Sequence, residues 1–384
     1  MSGLVSLLKT IDEQERLGEG FVLATVVKVE GSAYRRPGAR MLISALGQSE
    51  GTVSGGCLER DVIKKAWWLT FDGPVVRSYS TAEDGEESDS SYHFSLGCDG
   101  KIFLLFERIL PAAASPLVRI LKMVHEKKRQ AAIATVISAD DESAFVVGDR
   151  LIVTPEGGLD GSLVDSSLEQ VLADDLRGVM ASGKSALNQY SDQAAEVEVF
   201  LEVVSPPQKL VLFGAGHDAQ PLVRLAKTLG WHVTVIDGRA NFAMAHRFPE
   251  VDDVRVMNID EPLSTSSLLD GAAVVVMTHS VTQDTQWLTK ALRSGACYVG
   301  QLGPRYRTER LLADIGDDAQ TAQAREKLYY PVGLDLGGDT SESIAMAILS
   351  EISAVVNGRN GGMLKYRAAR IHEAEQLPFG GCYS

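Results

Sequence analysis

Cysteine is scarce in this chain. Its four cysteines, Cys57, Cys98, Cys297 and Cys382, are spread over 384 residues and show no CxxC spacing. That speaks against a disulfide framework or a zinc ribbon and points to a reducing compartment, the cytoplasm. Positive charge is also short. Lys and Arg number 37 against 51 Asp and Glu, a net charge of −14, which argues against a general nucleic-acid or anionic-membrane binder. No apolar run approaches the length of a membrane span. The opening stretch MSGLVSLLKTIDEQE mixes acidic with apolar residues, so it reads as a short amphipathic helix and not as the apolar core of a secretion signal. The rest of the composition is ordinary for a globular protein, 45% hydrophobic and 23% charged, in a chain long enough for two or three domains.

The most informative stretch is GTVSGGCLE, Gly51–Glu59. Two glycines precede a cysteine, and an amphipathic run follows at Leu58, Val62, Ala66 and Leu69. Glycine pairs let backbone amides approach a ligand, and a helix N-terminus favours anions and activates a thiol. Cys57 therefore reads in two ways, as a reactive thiol beside an anion site or as a small residue after a tight turn.

A shift of 110 residues partly superimposes the first half of the chain on itself. Ala24–Val27 (ATVV) meets Ala134–Ile137 (ATVI), Gly38–Ile43 meets Gly148–Val153, and Gly51–Glu59 meets Gly161–Glu169. Nine of 36 ungapped positions are identical: Ala24, Thr25, Val26, Gly38, Arg40, Gly47, Gly51, Leu58 and Glu59. Composition alone would give roughly two. The unit reads as strand, strand, turn (GQSEG), then a helix from about Leu58 to Leu69, closed by further strands at Lys101–Ile109 and Val197–Val204. An internally duplicated α+β region follows, with residues 1–110 as the first module and 111–205 as a degenerate second copy. The acidic run Glu83–Asp89 between elements reads as a solvated loop.

The second copy keeps the apolar positions, the turn glycines and Glu169. It replaces Gly-Gly-Cys with Asp165-Ser166-Ser167 and loses the basic segment GSAYRRPGAR. A feature needed only for the turn should persist in both copies, so its loss favours a functional role for Gly55, Gly56 and Cys57. Glu59, kept in both, reads as a charge at a helix N-terminus. Arg35, Arg36 and Arg40 form the densest cationic cluster, a phosphate or other anion site if they lie near Cys57 and a solvated face otherwise. Cys98, between glycines in SLGCDGK, faces Cys57 or fills a strand end. Two cysteines without further His or Cys spacing do not make a metal site by themselves, and the metal stays open.

Ser205-Pro206-Pro207 reads as a linker. Beyond it, residues 206–384 alternate strand and helix. The apolar strand KLVLF runs into Gly214-Ala215-Gly216-His217-Asp218-Ala219, a GxGxxA turn opening a helix, and the next strand ends at Asp237, 23 residues after Gly214. This spacing fits a dinucleotide fold, with Asp237 placed for ribose hydroxyls, Arg239 for a ribose phosphate and His217 at the loop. Further strands at Val254–Met257, Ala272–Thr278 and Ala296–Gly303, and helices at Asp284–Gly295, Arg305–Ile315 and Ser341–Val356, predict an α/β doubly wound parallel sheet, Rossmann-like, C-terminal to the duplicated region. His279 at the strand edge is a candidate acid/base or a structural hydrogen-bonded histidine. Cys297 reads as core and Cys382 as inert.

GSAYRRPGARMLI, GTVSGGCLERDV, SLGCDGK, LVLFGAGHDAQPLVRLAKTLGWHVTVIDGRANFA, VVVMTHSVTQD, YVGQLGPRYRTERLL and PVGLDLGGDTSESIAMAILSEI, in this order, resemble the XdhC/CoxI family. Its members are accessory proteins of molybdenum hydroxylases such as xanthine dehydrogenase and carbon monoxide dehydrogenase. The resemblance implies binding of the molybdenum cofactor (molybdopterin), help with its sulfuration, and delivery to the apo-enzyme. Such a carrier need not turn anything over. The apo molybdenum hydroxylase is the implied partner, with a cysteine desulfurase as a further one. Arg35, Arg36, Arg40, Ser54, Gly55, Gly56, Cys57 and Cys98 are then the cofactor-handling residues, and Gly214, Gly216, His217, Asp237 and Arg239 a nucleotide site. The chain departs from the family pattern at Gly97-Cys98-Asp99-Gly100, where Gly-Cys-Gly-Gly is usual, and at Asp237-Gly238-Arg239-Ala240, where Asp-Asp-Arg-Pro is usual. Two other readings stay open: an NAD(P)-dependent oxidoreductase with His279 as acid/base, and a nucleotide-sensing module that gates release to a partner. The long apolar stretches point to a homodimer.

Overall fold

The computed structural model describes residues 2–31, 33–80, 91–93, 100–111, 115–140, 143–192, 195–260, 266–316 and 324–368. The acidic run Glu83–Asp89, Cys98 and Cys382 lie outside the described residues. The chain divides between Pro206 and Pro207 into two compact units.

The N-terminal unit contains one module written twice. The first copy runs α1 (Ser2–Leu17), β1 (Phe21–Gly31), β2 (Arg40–Ser44), β3 (Ser49–Gly51), α2 (Glu59–Leu69), β4 (Val75–Ser80), β5 (Ser91–His93) and β6 (Gly100–Ile109). The second runs α3 (Pro116–Lys127), β7 (Ala131–Ala139), β8 (Arg150–Val153), β9 (Leu159–Asp160), α4 (Glu169–Ser182), β10 (Ala186–Asp192) and β11 (Ala195–Val204). Their sheets are ordered β3-β2-β1-β6-β4-β5 and β10-β11-β7-β8-β9, so β1-β2-β3 correspond to β7-β8-β9 and β6 to β11. Registers correspond as well: Thr25 pairs with Arg40, and Thr135 with Arg150. Pairing of β1 with β6 skips Val27, and pairing of β7 with β11 skips Ile137, 110 residues on. Both skipped residues are buried in one cluster with Leu105 and Phe200.

Each sheet covers its own helix. On α2, Val62, Ala66 and Leu69 recur at helical spacing and pack on Val22, Ala24, Met41 and Phe106. On α4, Leu172, Ala173 and Leu176 pack on Ala132, Ala134 and Leu151. Each such fully buried leucine or valine side chain contributes about 1.5–3 kcal/mol. A shared core takes Leu7, Leu8 and Ile11 from α1, Leu117, Val118 and Leu121 from α3, and Leu23, Leu42, Ile133 and Ile152 from the strands.

The C-terminal unit is a six-stranded parallel sheet, ordered β14-β13-β12-β15-β16-β17. Its elements are β12 (Lys209–Phe213), α5 (Ala219–Thr228), β13 (His232–Asp237), β14 (Asp253–Val256), α6 (Ser266–Leu269), β15 (Ala273–Val276), α7 (Val281–Leu292), β16 (Tyr298–Gln301), α8 (Arg305–Ile315), β17 (Leu328–Tyr329) and α9 (Ser341–Val356). Helices α5 and α9 cover one face through Leu222, Val223, Ile348 and Ile352. Helices α7 and α8 cover the other through Trp287, Leu288, Leu311 and Leu312. The strand order reverses between β12 and β15, the topological switch point of a doubly wound sheet.

Several expected boundaries move. Helix α7 begins at Val281 and not at Asp284, because the Ser280 side chain accepts the Gln283 amide as an N-cap. The strand after it begins at Tyr298, which leaves Cys297 half-buried ahead of it and not within a strand core. The segment expected as the turn GQSEG gives its last three residues to β3.

Candidate functional site

The loop between β3 and α2 is built around one carboxylate. Glu59 accepts the amides of Val53 (3.2 Å), Ser54 (2.9 Å), Gly55 (3.1 Å), Gly56 (2.9 Å) and Leu58 (3.1 Å), together with the hydroxyls of Ser54 and Thr52. Such convergence needs backbone that ordinary residues rarely adopt; Gly55 and Gly56 have φ of +110° and +120°. Burial pushes the Glu59 carboxyl up, but hydrogen bonds from Ser54 and Thr52 and from the Ser54 and Gly55 amides outweigh it and hold the group at about 2. The amides that the sequence suggested would face a ligand anion face an anion of the chain's own. Glu59 is more than a favourable charge at a helix end.

Cys57 stands at the outside of this loop with its side chain exposed. The amides on either side of it, those of Gly56 and Leu58, both turn inward to Glu59. Tyr34 lies over the loop: a Cβ on Gly55 would fall 2.7 Å from its ring. Arg35 sits 5.5 Å from the centre of the same ring, and its Nε is shielded from solvent without a hydrogen-bond partner. Arg36 is exposed on the same segment. Tyr34 is thus the residue of the basic segment that touches the Gly-Gly-Cys loop; no contact of Arg35 or Arg36 with Cys57 is among those described.

Arg40 does not join them. Its guanidinium binds Glu202 with both terminal nitrogens and donates to the Gly38 carbonyl at 3.1 Å. Both side chains are under a tenth exposed. Arg150 occupies the corresponding place, one terminal nitrogen donating to Glu107 and the other to the Gly148 carbonyl. The physical reason is the duplication: Arg40 belongs to the residues kept in both copies, and it holds the two sheets together.

In the C-terminal unit, the glycine loop and the end of β13 lie side by side. Gly214 has φ +122°, and a Cβ there would fall 2.5 Å from the Met277 carbonyl, so glycine permits the close approach of β12 and β15 ends. Asp237 is buried and already engaged. Its oxygens accept the Ala215 amide (2.8 Å), the Arg239 amide (2.9 Å) and the Arg239 guanidinium (2.9 and 2.7 Å). Burial raises the Asp237 carboxyl, and the Arg239 and amide bonds outweigh that and lower it. A ribose would have to displace Arg239, whose guanidinium also stacks 3.9 Å from the Phe242 ring centre.

His279 adopts a left-handed backbone, φ +64°, and its Nε2 lies 2.8 Å from Asp218 Oδ2. Asp218, whose importance the sequence did not signal, also reaches over Gly216: a Cβ there would fall 2.5 Å from its Oδ1. His217 is exposed nearby in sequence. Behind His279, the fully buried Asp284 accepts from the Thr278 amide and hydroxyl, Gln301 and Arg307. Among the described residues no group of three or more His, Cys, Asp or Glu could hold a metal ion, and no helix is long and apolar enough to cross a membrane.

These two units carry separate sequence signatures. Residues 210–352 match the XdhC Rossmann domain, and residues 15–80 and 124–191 match the XdhC and CoxI family, once in each copy of the duplicated module. A Bacillus subtilis (strain 168) protein named as a probable xanthine dehydrogenase subunit is 30% identical over 335 residues, 87% of this chain and 92% of its own. This chain belongs to the XdhC/CoxI family. A second relative, the molybdenum cofactor insertion chaperone PaoD of Escherichia coli (strain K12), is 23% identical over 91% of this chain and 88% of its own. Among solved structures, the chain is similar to a xanthine dehydrogenase from Bacillus halodurans, with a TM-score of 0.72 and 27% identity, covering 93% of this chain and 97% of that one. The XdhC Rossmann signature coincides with the parallel sheet, and the doubled XdhC/CoxI signature falls on the two modules of the N-terminal unit.

Proposed function

We propose that this XdhC/CoxI protein is an accessory factor of a molybdenum hydroxylase, which binds the molybdenum cofactor through its first module and delivers it to the apo-enzyme. The observation that carries this reading is the contact of Tyr34 with Gly55, which sets Arg35 beside the Cys57 loop. The second module has no counterpart: Ala144, Phe145 and Val146 stand where Tyr34, Arg35 and Arg36 do, and Asp165 stands where Gly55 does. The names of two relatives, one given as part of a xanthine dehydrogenase and the other as a cofactor insertion chaperone, support the same direction.

The cargo supplies a phosphate and a dithiolene-bound metal. Arg35 and Arg36 hold the anionic end, because the loop amides are committed to Glu59. The exposed thiol of Cys57 meets the metal end or a sulfur in transit. In this reading a cysteine desulfurase supplies that sulfur, the protein acts as a cytoplasmic homodimer, and the C-terminal unit takes NAD(P) or another nucleotide at the Gly214–Gly216 edge.

The test is direct binding by the purified chain of molybdopterin cofactor and, separately, of NAD(H) and NADP(H). Wild type binds the cofactor and Cys57→Ala binds it weakly. Equally poor cofactor binding by both, with tight NAD(H) binding, would instead support the oxidoreductase reading.

A further inference from the structure

Glu59 gathers five amides and two hydroxyls from six residues of the stretch Thr52 to Leu58, all but Cys57. No cation is among its described partners. The helix that follows does not need this arrangement. In the sister copy α4 starts from Leu168 with φ −93°, as α2 starts from Leu58 with φ −99°. There Glu169 accepts the Asp165 amide, the one bond to it among those described, and several of the donors that surround Glu59 are missing or turned elsewhere. Ser162, at the place of Thr52, donates to Asp149; Val164, at the place of Ser54, has no hydroxyl; and the Ser166 amide, at the place of Gly56, donates to the Leu163 carbonyl. The same strand–turn–helix therefore forms without the cage. The cage accompanies the thiol.

We infer that Glu59 is the positioning residue of the Cys57 loop, holding the chain from Thr52 to Leu58 in a closed claw that sets the thiol outward beside Tyr34 and Arg35. This rests on the cofactor-binding reading of that face. Two mechanical consequences follow from the contacts. The inward turn of the Gly56 and Leu58 amides fixes the backbone on both sides of Cys57. The packing of Tyr34 on Gly55 couples the loop to the arginine segment, so loss of the claw moves thiol and guanidinium together. Glu59 also keeps the loop amides away from the ligand, which leaves recognition of its anionic end to arginine.

The full-length chain carries the test, as Glu59→Gln, Glu59→Asp and, for the sister copy, Glu169→Gln. Alkylation of Cys57 by iodoacetamide is followed across pH by peptide mass spectrometry, and molybdopterin binding by titration. In Glu59→Gln a neighbouring negative charge is gone and amides are freed toward the thiolate, so the midpoint of the alkylation profile falls by about half a pH unit. Cofactor affinity falls about fivefold or more, the size of a lost positioning contact. Glu59→Asp keeps the charge on a shorter arm, which brings the midpoint back toward wild type while affinity stays reduced. Glu169→Gln matches wild type in both.

A folded Glu59→Gln with the wild-type alkylation profile would overturn the inference. So would tighter cofactor binding, which would mean that the carboxylate merely competes for the amides. Should Glu59→Gln fail to fold, Glu59→Asp decides: wild-type affinity and an unchanged profile would remove the positioning role. If wild type itself binds no molybdopterin, the cofactor reading fails alone, and the alkylation profiles still judge Glu59.

Discussion

Arg40 and Glu202 close a buried, two-point ion pair across the two sheets of the duplicated region, and Arg150, 110 residues after Arg40, closes the corresponding buried pair with Glu107 through one guanidinium nitrogen. Each arginine also donates to the carbonyl of the glycine two residues before it, Gly38 or Gly148. The bulged residues Val27 and Ile137 are buried together in one cluster with Leu105 and Phe200. The two modules thus pack as a dimer written in one chain, with reciprocal contacts of the kind expected at a twofold interface.

Breaking one of these pairs leaves a buried charge without a partner. Arg40→Ala should therefore cost about 3–5 kcal/mol, and Arg150→Ala about the same. Urea unfolding of the full chain followed by circular dichroism measures both. A cost below about 1 kcal/mol in either would be that of an exposed pair and would contradict the burial of these side chains.

Acid should reveal Glu59. Its carboxyl is depressed from an ordinary 4.5 to about 2 in the folded chain. A depressed carboxyl contributes stability that is present above its unfolded pKa and is lost as pH falls through the folded one. The window is therefore pH 4.5 down to about 2, and the contribution at neutral pH is on the order of 3 kcal/mol. Wild type should lose more stability than Glu59→Gln across that window. Parallel acid limbs for the two proteins would show that the carboxylate is not held as described.

Much of this was legible in the sequence, and the failures have physical causes. The parallel sheet was readable because its strands are continuous apolar runs separated by glycine turns, and α8 and α9 fall where periodicity placed them. The duplication was visible in β1–α2 through nine identities. It extends further, to α1 and α3, where Leu7, Leu8 and Ile11 correspond to Leu117, Val118 and Leu121 in a shared core. Leu7 and Leu117 are the one identity among these three core pairs, since core packing preserves apolar register and not residue type. Arg40 looked like part of a basic cluster because sequence neighbours share a segment; its alternation on β2 turns it to the opposite sheet. Its identity with Arg150 was the available signal. Glu59 shows the limit of such comparison: both copies keep the acid, and only the donors around it differ.

Asp237 carries a different expectation. Because Arg239 and the Ala215 amide occupy its oxygens, a ribose diol has to compete with the chain's own guanidinium. Arg239→Ala should expose the carboxylate, tightening binding of NADH while weakening binding of NADPH, whose extra phosphate loses a cation. Fluorescence titration with the two nucleotides measures this. A fall in NADH affinity would mean that Arg239 itself contacts the ligand or that Asp237 serves only the loop.

Tyr34 offers the sharpest separation of stability from binding. Tyr34 is 70% exposed, so Tyr34→Ala should change stability by no more than about 0.5 kcal/mol. Yet the ring stands between Gly55 and Arg35, and without it the guanidinium loses its platform. Tyr34→Ala should weaken molybdopterin binding and flatten its salt dependence, because one cation no longer reaches the anionic end. Tyr34→Phe keeps the ring and should bind like wild type. Gly55→Ala attacks the same contact from below: its Cβ would sit 2.7 Å from the ring, on a backbone with φ +110°. That variant should lose binding as Tyr34→Ala does and should lose stability as well, by about 1–3 kcal/mol for the strained backbone. Unaltered binding in Tyr34→Ala, measured at low and high salt, would take the ring and Arg35 out of the site and leave Cys57 without its basic neighbour.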